Sequence, residues 1–363
     1  MTIDFETAAM LSESAQRYAE EKYSFLARHK VLADPAGYSQ EAWNAYANLG
    51  WLALRLPEKN GGMDADVFAV AALMEVVGAR LLMEPILVSA IIGTELLRQL
   101  GNAEQKADLL PRLADGRIKL AIAHPEPGSH VPLAVFGEGK ISGSYEGILH
   151  GDIADQFVVF ARDAKQGSAR QAYLVDPSAA GVVIKRYRLI DDRGAANVYF
   201  DRAPAQRLDG QSAEGADLVI AASLDLATVA QCAETLGIVR KLSHATVDYL
   251  KIRKQFGRAI GTNQALQHRA VDMFFLQQEI TALTQYALRA MALPASERAR
   301  QVSGAKAYIM HAARKVANEA VQMHGGLGLT EELDISHYFR RLMVIAALFG
   351  KREMHFARFI GES

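Results

Sequence analysis

Apolar residues recur at steps of three and four along the C-terminal part of the chain, which is the spacing of one face of an α-helix. The first series is Val229, Cys232, Leu236, Val239, Leu242, Thr246 and Leu250. The second series is Val302, Ala305, Ile309, Ala312, Val316, Ala320 and Met323. Glycine is common just past a helix end. The pattern therefore predicts two long helices, one ending at Phe256-Gly257 and one ending at Gly325-Gly326.

Helical spacing also runs through the first part of the chain, up to about residue 118. The helices that it predicts cover residues 5–28, 40–49, 66–79, 85–100 and 105–116. Glycines at positions 50, 101 and 116 follow three of them, as expected for helix ends. This part of the chain is predicted to be an all-helical N-terminal domain.

The pattern changes between about residues 119 and 213, where short β-branched and aromatic runs are separated by Gly, Asp, Pro and Ser. The predicted strands cover residues 157–161, 172–175, 181–189 and 196–200. They predict a small antiparallel β domain. The order helix, strand, helix in three blocks is typical of an α+β protein with separate domains. The predicted domains are residues 1–118, 119–213 and 214–363.

Composition and charge narrow the class of protein. Half of the residues are apolar and the formal net charge is −1, so nothing favours nucleic-acid binding. Cys232 is the one cysteine, which leaves no intrachain disulfide and fits a reducing compartment. Its place on an apolar helical face predicts a buried structural thiol. The acidic N-terminus has no signal-peptide layout, and no run of about 18 apolar residues suggests a membrane span. A cytoplasmic protein without a metal site is expected.

Arg253 and Lys254 are predicted to lie in the last turn of the first long helix. Basic residues there complement the negative end of the helix dipole, which is the plainer interpretation. The alternative is that Arg253 presents its planar guanidinium to a phosphate, with the neighbouring Phe256 packing against a ring. The residues of this segment alone leave both interpretations open.

A second motif favours the phosphate interpretation. The run from Arg253 to Gly257 (Arg-Lys-Gln-Phe-Gly), followed by the run from Gln322 to Gly326 (Gln-Met-His-Gly-Gly), resembles the C-terminal helical domain of the flavin-dependent acyl-CoA dehydrogenases. Landmarks of their N-terminal domain match at Pro57-Glu58, Gly61-Gly62, Gly101, Gln105-Lys106 and Leu110-Pro111. The resemblance spans essentially the whole chain. It implies an N-terminal helical domain, a middle β-barrel domain and a C-terminal four-helix bundle.

The resemblance also implies chemistry and ligands. Family members use FAD to dehydrogenate an acyl-CoA thioester between its α and β carbons, and they usually pass the electrons to an electron-transfer flavoprotein. By resemblance, Arg253 holds the FAD pyrophosphate with help from Gln255, and Phe256 packs near the adenosine or ring end. Gln322 hydrogen-bonds the dinucleotide. Gly325 and Gly326 let it approach the bare backbone.

The family's catalytic base is missing at both positions where its members carry a glutamate. One position is Phe349, directly before Gly350, and the other is Ala227. A phenylalanine cannot take a proton. Asp225 is a possible substitute, against the plainer interpretation of a solvated or N-capping aspartate. The catalytic residue is therefore unknown.

Other acidic residues near the missing base have ordinary interpretations. Glu331 and Glu332 are expected to start the next helix, and Glu353 is expected to be a surface charge.

The segments that hold the flavin ring in the family are also altered. Residues 124–130 have Pro125 and His130 where the family has Thr and Asp, and residues 147–151 lack the usual Trp and Thr. In the family's oligomers one subunit supplies the ring pocket and the base, and its neighbour supplies the two motifs kept here.

A chain that keeps these two motifs but lacks the ring pocket and the base resembles the small, non-catalytic subunit of heteromeric α2β2 enzymes, such as pimeloyl-CoA dehydrogenase small subunits. The expected partners are a catalytic acyl-CoA dehydrogenase subunit or, in a homo-oligomer, further copies of this chain. Two alternatives stay open: a self-sufficient flavin dehydrogenase or monooxygenase on the same fold, and a non-enzymatic structural homologue.

Overall fold

The computed structural model describes residues 5–125, 132–165 and 169–362. Its N-terminal part is helical. The helices are α1 (Phe5–Lys22), α2 (Phe25–Ala33), α3 (Gln40–Asn48), α4 (Val67–Arg80), α5 (Thr94–Leu100) and α6 (Ala103–Ala114). The all-helical character predicted for this part of the chain is confirmed.

Two of the predicted N-terminal helices differ from the structure. The single helix over residues 5–28 is wrong, because Ser24 has extended backbone and caps the start of α2 by accepting a hydrogen bond from the Ala27 amide at 3.2 Å. The predicted helix over residues 85–100 is split into a π-helix, Ile86–Gly93, and α5. Local spacing does not distinguish these cases, since apolar residues continue through both breaks.

One mixed sheet forms the middle of the molecule. Its strands are β1 (Leu120–Ala123), β2 (Ala134–Gly137), β3 (Lys140–Leu149), β4 (Gln156–Asp163), β5 (Arg170–Val175), β6 (Val182–Arg188), β7 (Gly194–Pro204) and β8 (Gln206–Arg207). The hydrogen-bonded order is β6-β7-β3-β2-β4-β5-β8, and β1 pairs with β4. The prediction of a purely antiparallel domain is wrong, because β4 pairs in parallel with both β1 and β2. Strands β1, β2, β3 and β8 were also missed. Three of them have four residues or fewer, and β3 is interrupted by Gly143 and Gly147.

The C-terminal part is helical again, as predicted. It contains α7 (Ala213–Ile252), a short hairpin of β9 (Lys254–Gln255) and β10 (Arg258–Ala259), and then α8 (Gln264–Ala290), α9 (Ala295–His324), α10 (Ile335–Ala347) and α11 (Arg352–Ile360). Helices α7 to α10 pack together, and α11 packs against α9. The domain boundaries given above remain predictions.

Helix α7 is the central element of the core. By length and composition it would be able to cross a membrane, but 67% of its most apolar stretch is buried inside the molecule. Two glycines allow α4 to lie directly against it. A Cβ at Gly78 would come within 2.0 Å of the Glu234 carbonyl oxygen, and a Cβ at Gly237 within 1.9 Å of the Glu75 carbonyl oxygen. Helix α7 is therefore a core helix between the N-terminal helices and the bundle.

A cluster of buried charges joins the three parts of the chain. The Arg341 guanidinium on α10 donates to both carboxylate oxygens of Glu234 on α7, at 2.6 and 2.9 Å. It also donates to Asp191 at 3.0 Å, and Arg193 donates to the same carboxylate at 2.8 Å. Arg193 further donates to the Leu82 carbonyl oxygen at 2.6 Å. All four charged side chains are nearly inaccessible to solvent.

The Cys232 thiol is expected to be unreactive in the folded protein. It is completely buried in α7, as the sequence predicts, and burial raises its pKa to about 11. Because the thiolate is the reactive form, its population at neutral pH falls about a hundredfold or more relative to a free cysteine. A thiol reagent such as DTNB should react with the native chain only as fast as the chain unfolds. Rapid stoichiometric labelling without denaturant would contradict this burial.

Candidate functional site

The two sequence motifs meet at the same end of the bundle. Near the end of α7, the Tyr249 ring stacks on the ring of His324, the last residue of α9, with centroids 4.4 Å apart. The Tyr249 hydroxyl also donates to the His324 carbonyl oxygen at 3.4 Å. The segment that begins at Arg253 and the turn that begins at Gly325 therefore follow two helix ends in direct contact.

The first motif forms an exposed hairpin rather than the last turn of a helix. Helix α7 ends at Ile252, so the prediction that Arg253 and Lys254 lie in its last turn is wrong. Arg253 has extended backbone, and its carbonyl oxygen accepts from the Ile260 amide at 2.8 Å. Phe256 and Gly257 both have positive φ, as a tight hairpin turn between right-twisted strands requires.

Phe256 is the unusual residue of this hairpin. A bulky residue at positive φ is strained, and the Phe256 side chain is fully exposed. Within this chain its ring gains no packing that would offset the strain. Such an outlier points to a contact outside the chain.

The second motif forms an open turn. Gly325 has φ 61° and ψ −142°, a conformation that belongs essentially to glycine. At both Gly325 and Gly326 an added Cβ would meet no described atom within 4 Å, so the backbone faces open space. Gln322 is exposed on the last turn of α9.

All six predicted cofactor-binding residues are solvent-exposed: Arg253, Gln255, Phe256, Gln322, Gly325 and Gly326. Within the described part of the chain the Arg253 guanidinium makes no ion pair. A free guanidinium at the same end of the bundle as bare glycine backbone fits an anionic group such as a pyrophosphate. Exposed Ile252, Leu327 and Leu329 lie in the same segments, and apolar exposure of this kind is typical of an interaction site.

Position 349, where the sequence predicts that the family's base is missing, is buried rather than exposed. Phe349 is buried, and its ring stacks on the His124 ring with centroids 5.3 Å apart and planes 15° from parallel. Burial lowers the pKa of His124, so its imidazole is neutral at pH 7. His124 Nδ1 donates to the Pro125 carbonyl oxygen at 2.8 Å.

The predicted flavin-ring segments line a cavity that is almost filled. It encloses only about 10 Å³ and is lined by Val88, Ile122, His124, Glu146, Gly147, Ile148, Leu149, Leu348 and Phe349. That volume holds one water molecule at most. A flavin ring does not fit between these side chains as they stand. Of the altered segment 124–130, residues 126–130 lie outside the described residues.

A second, larger cavity is also lined by Phe349. It has a volume of about 240 Å³ and is lined by Arg170, Ala221, Leu224, Thr228, Phe349, Met354, His355 and Arg358. Burial, with smaller effects from Lys306 and Arg358, lowers the pKa of His355 to about 3. Phe349 therefore lines two cavities. Neither cavity is lined by a carboxylate from α7 or from position 349.

Asp225 is neither solvated nor an N-cap, contrary to its plainer interpretation. It lies inside α7 and is completely buried. Arg298 donates to one of its oxygens at 2.8 Å, and Arg358 donates to the other at 2.9 Å. A role as base would require Asp225 to leave two ion pairs. Ala227, the alternative base position, is buried without a polar group.

The remaining acidic residues are structural or exposed. Glu331 and Glu332 do not start a helix as predicted, since α10 begins at Ile335. Glu331 instead pairs with Arg340 at 2.9 Å and approaches His337 Nε2 at 3.1 Å. Glu353 is exposed in the first turn of α11, as expected. No cluster of metal-ligating side chains occurs among the residues that the structure describes.

Comparisons with known proteins agree with this architecture. The family model described as "Acyl-CoA dehydrogenase, N-terminal domain" matches residues 6–117, and the one described as "Acyl-CoA dehydrogenase, C-terminal domain" matches residues 213–362. An acyl-CoA dehydrogenase of Bacillus subtilis (strain 168) is 30% identical over 84% of this chain and 84% of its own length.

Solved structures of similar shape include proteins made of two different chains. A variant of the Tcur3481-Tcur3483 steroid ACAD has a TM-score of 0.87 and 25% identity, covering 98% of this chain and 97% of its own. The ChsE4-ChsE5 complex of Mycobacterium tuberculosis has a TM-score of 0.86 and 22% identity, covering 100% and 98%.

FAD is the cofactor of this family. PigA, solved as an FAD complex, has a TM-score of 0.84 and 20% identity, covering 100% of this chain and 99% of its own. The matched N- and C-terminal domains and the Bacillus relative show that the chain belongs to the acyl-CoA dehydrogenase family.

Proposed function

We propose that this chain is the subunit without a catalytic base in a heteromeric, FAD-dependent acyl-CoA dehydrogenase. The observation that carries the proposal is an asymmetry between two halves of a cofactor site. The face that would hold the dinucleotide is open, with Arg253 unpaired within the described residues and Gly325 bare. The place for a flavin ring is filled by the Phe349–His124 stack.

Each exposed residue has a role toward a cofactor held mainly by the partner chain. Arg253 binds the pyrophosphate through charged hydrogen bonds, and Gln255 and Gln322 add neutral ones. Phe256 packs on the adenosine or ring end, which gives its strained backbone the contact that it lacks in this chain alone. The bound FAD would accept the hydride from the acyl-CoA β carbon.

Two further features support a heteromer over a self-sufficient enzyme. Both positions for the family's glutamate are apolar here, and Asp225 is held in two ion pairs. Two similar solved structures carry the names of two different chains. The proposed partner is a catalytic acyl-CoA dehydrogenase chain in an α2β2 assembly, the proposed substrate is an acyl-CoA, and the proposed electron acceptor is an electron-transfer flavoprotein.

The proposal is tested by adding an acyl-CoA under anaerobic conditions to the chain alone and to the chain co-expressed with the acyl-CoA dehydrogenase encoded nearest to it. The co-expressed pair should show a flavin band that bleaches. The chain alone should show no flavin band. A flavin band in the chain alone that bleaches with the acyl-CoA would contradict the proposal.

Restoring a carboxylate at position 349 is expected to leave this chain inactive. The variant Phe349→Glu supplies a base but no room for the ring, so the purified chain should stay colourless. Its free energy of unfolding should fall by about 3 kcal/mol, because a ring is lost from the core and a polar group is buried. Flavin absorbance and urea unfolding measure the two effects. Stoichiometric FAD in this variant would show that Phe349 alone closes a complete site.

A further inference from the structure

A cavity of about 400 Å³ lies where the N-terminal helices meet the bundle, between α5, the first half of α7 and the start of α9. Cavities of this size hold small organic molecules. None of the six residues predicted to bind the cofactor lines it, and neither does Phe349. Ala222 in its wall lies thirty residues before the end of α7, which places the cavity about 45 Å from the exposed hairpin.

Much of the cavity lining is apolar. On α7, Leu218, Ala222 and Leu226 follow at steps of four, so they share one face of the helix. Leu218 is 59% exposed, although most of α7 is buried. The apolar lining residues used here are Val67, Leu218, Val219, Ala222, Leu226 and Met291. A concave surface of aliphatic side chains fits the aliphatic body of a small ligand.

The cavity is also lined by a guanidinium that has unused donors. Arg298, in the first turn of α9, leaves only 13% of its side chain exposed. Its Nε donates to Asp225 at 2.8 Å, whereas its two terminal nitrogens donate no hydrogen bond to any described residue. Asp225 also accepts from Arg358, so these three groups together carry a net positive charge. Free donors on a largely buried, positively charged group favour an anion.

Two further features of the lining supply donors for an anion. Helix α9 begins at Ala295, which lines the cavity, and no side chain caps its first amides. The uncapped start of a long helix has free N–H groups and a positive partial charge. Ser223 on α7 lines the same cavity and is 2% exposed, and its buried hydroxyl has no hydrogen-bond partner within the described part of the chain.

The one carboxylate among the described lining residues is already neutralised. Glu95 accepts from Arg55 at 2.7 Å and from Arg98 at 2.9 Å. Gln99 also donates to this carboxylate, at 3.2 Å. Glu95 therefore does little to repel an anion from the free nitrogens of Arg298. The cavity thus suits a ligand that has an aliphatic body and one negatively charged end.

We propose that this cavity is a binding site for an aliphatic carboxylic acid in its ionised form, separate from the FAD face. The terminal nitrogens of Arg298 would hold the carboxylate, and the Ser223 hydroxyl and the first amides of α9 would be further donors. The aliphatic chain would lie along Leu218, Ala222 and Leu226. The inference goes beyond the function proposed above and does not rest on it, since it involves neither FAD nor a partner chain.

The test is isothermal titration calorimetry of the purified full-length chain with octanoate, and with 1-octanol as an uncharged probe of the same length. Octanoate should bind saturably, and octanol should bind about tenfold more weakly or worse. Arg298→Gln should weaken octanoate binding about tenfold or more, because the charged hydrogen bonds are lost. Ala222→Phe should also weaken it, because the new ring fills the cavity and no ion pair is removed.

Arg358→Gln is the matched control for Arg298→Gln. It also removes one of the two guanidinium groups that bind Asp225, but Arg358 does not line this cavity. It should change octanoate affinity less than about threefold. Weakening by Arg358→Gln and not by Arg298→Gln would place octanoate in the cavity beside Phe349 and overturn the inference. Equal affinity for octanol, or no saturable binding of octanoate to the wild type, would overturn it as well.

Discussion

Replacing Arg253 by alanine is expected to weaken FAD retention by the heteromeric complex about 10- to 150-fold. The guanidinium is exposed and makes no ion pair within the described residues, so the substitution removes no ion pair of this chain and tests the proposed contact with FAD. Hydrogen bonds to a charged group contribute about 1.5–3 kcal/mol, which gives the range. The measurement is the FAD that remains after gel filtration, followed by titration of the apo-complex with FAD.

The control for Arg253 is its neighbour. Lys254→Ala removes the same charge from the same exposed hairpin, and it should change FAD affinity less than about threefold. The unfolding free energy of both variants should match that of the wild type, because both side chains are exposed. Equal FAD affinity in Arg253→Ala and the wild type would show that Arg253 does not bind FAD.

Replacing Arg341 by alanine is expected to lower the free energy of unfolding by about 3–5 kcal/mol. The variant leaves Glu234 and Asp191 buried without the guanidinium that contacts both. Burial disfavours charge on Arg341, but the two carboxylates outweigh it and raise its pKa above the usual range. Urea unfolding measures the loss as a lower midpoint.

Its neighbour on α10 serves as the control for Arg341. Arg340 pairs with the exposed Glu331 at 2.9 Å, and Arg340→Ala should cost less than about 1 kcal/mol. Equal costs for the two variants would contradict the structural role of the buried cluster.

The same cluster gives the fold a dependence on pH. Burial opposes ionisation of Asp191, but Arg193 and Arg341 outweigh it and lower the pKa of this carboxyl. A depressed pKa in the folded state contributes stability at neutral pH, and that contribution is lost as the pH falls through the folded pKa. In Arg341→Ala, part of the acid-dependent loss should disappear.

The proposed function gives a physical reason for the packed interior at the predicted ring site. An empty pocket of flavin size would cost about 24 cal/mol per Å³ of cavity. The Phe349–His124 stack removes that cavity, and the neutral imidazole adds no buried charge. A phenylalanine at position 349 therefore packs the core and, under the proposed function, stands where a base would be.

The sequence was sufficient for features that depend on local spacing. The long helices follow from apolar steps of three and four, and the exposed motif residues follow from the glycines that end those helices. Strands β1, β2 and β8 were missed because they are short, and β3 was missed because two glycines interrupt it. The parallel pairing of β1 and β2 with β4 is long-range and leaves no local pattern. The contact between His124 and Phe349 was missed for the same reason, since 225 positions separate two residues that each look ordinary.

Polar residues were misjudged where tertiary structure overrides local rules. Asp225 looks like a cap or a solvated charge, yet it binds two arginines from α9 and α11 inside the molecule. Lys254 looks like a helix-end residue, yet Phe256 and Gly257 turn the chain into a hairpin one residue after the helix ends. The sequence contained one signal for this hairpin. The pair Phe256-Gly257 allows a turn with two positive φ angles.

The most direct test is the amount of FAD per chain, measured by visible absorption of the purified protein alone and after co-expression with the neighbouring dehydrogenase chain. The proposed function predicts a colourless chain alone and a complex near half-occupancy per chain, or about one FAD for every two chains. Stoichiometric FAD on the chain alone, bleached by an acyl-CoA, would contradict it. The ring site would then be complete in this chain, and Asp225 would be the first residue to replace.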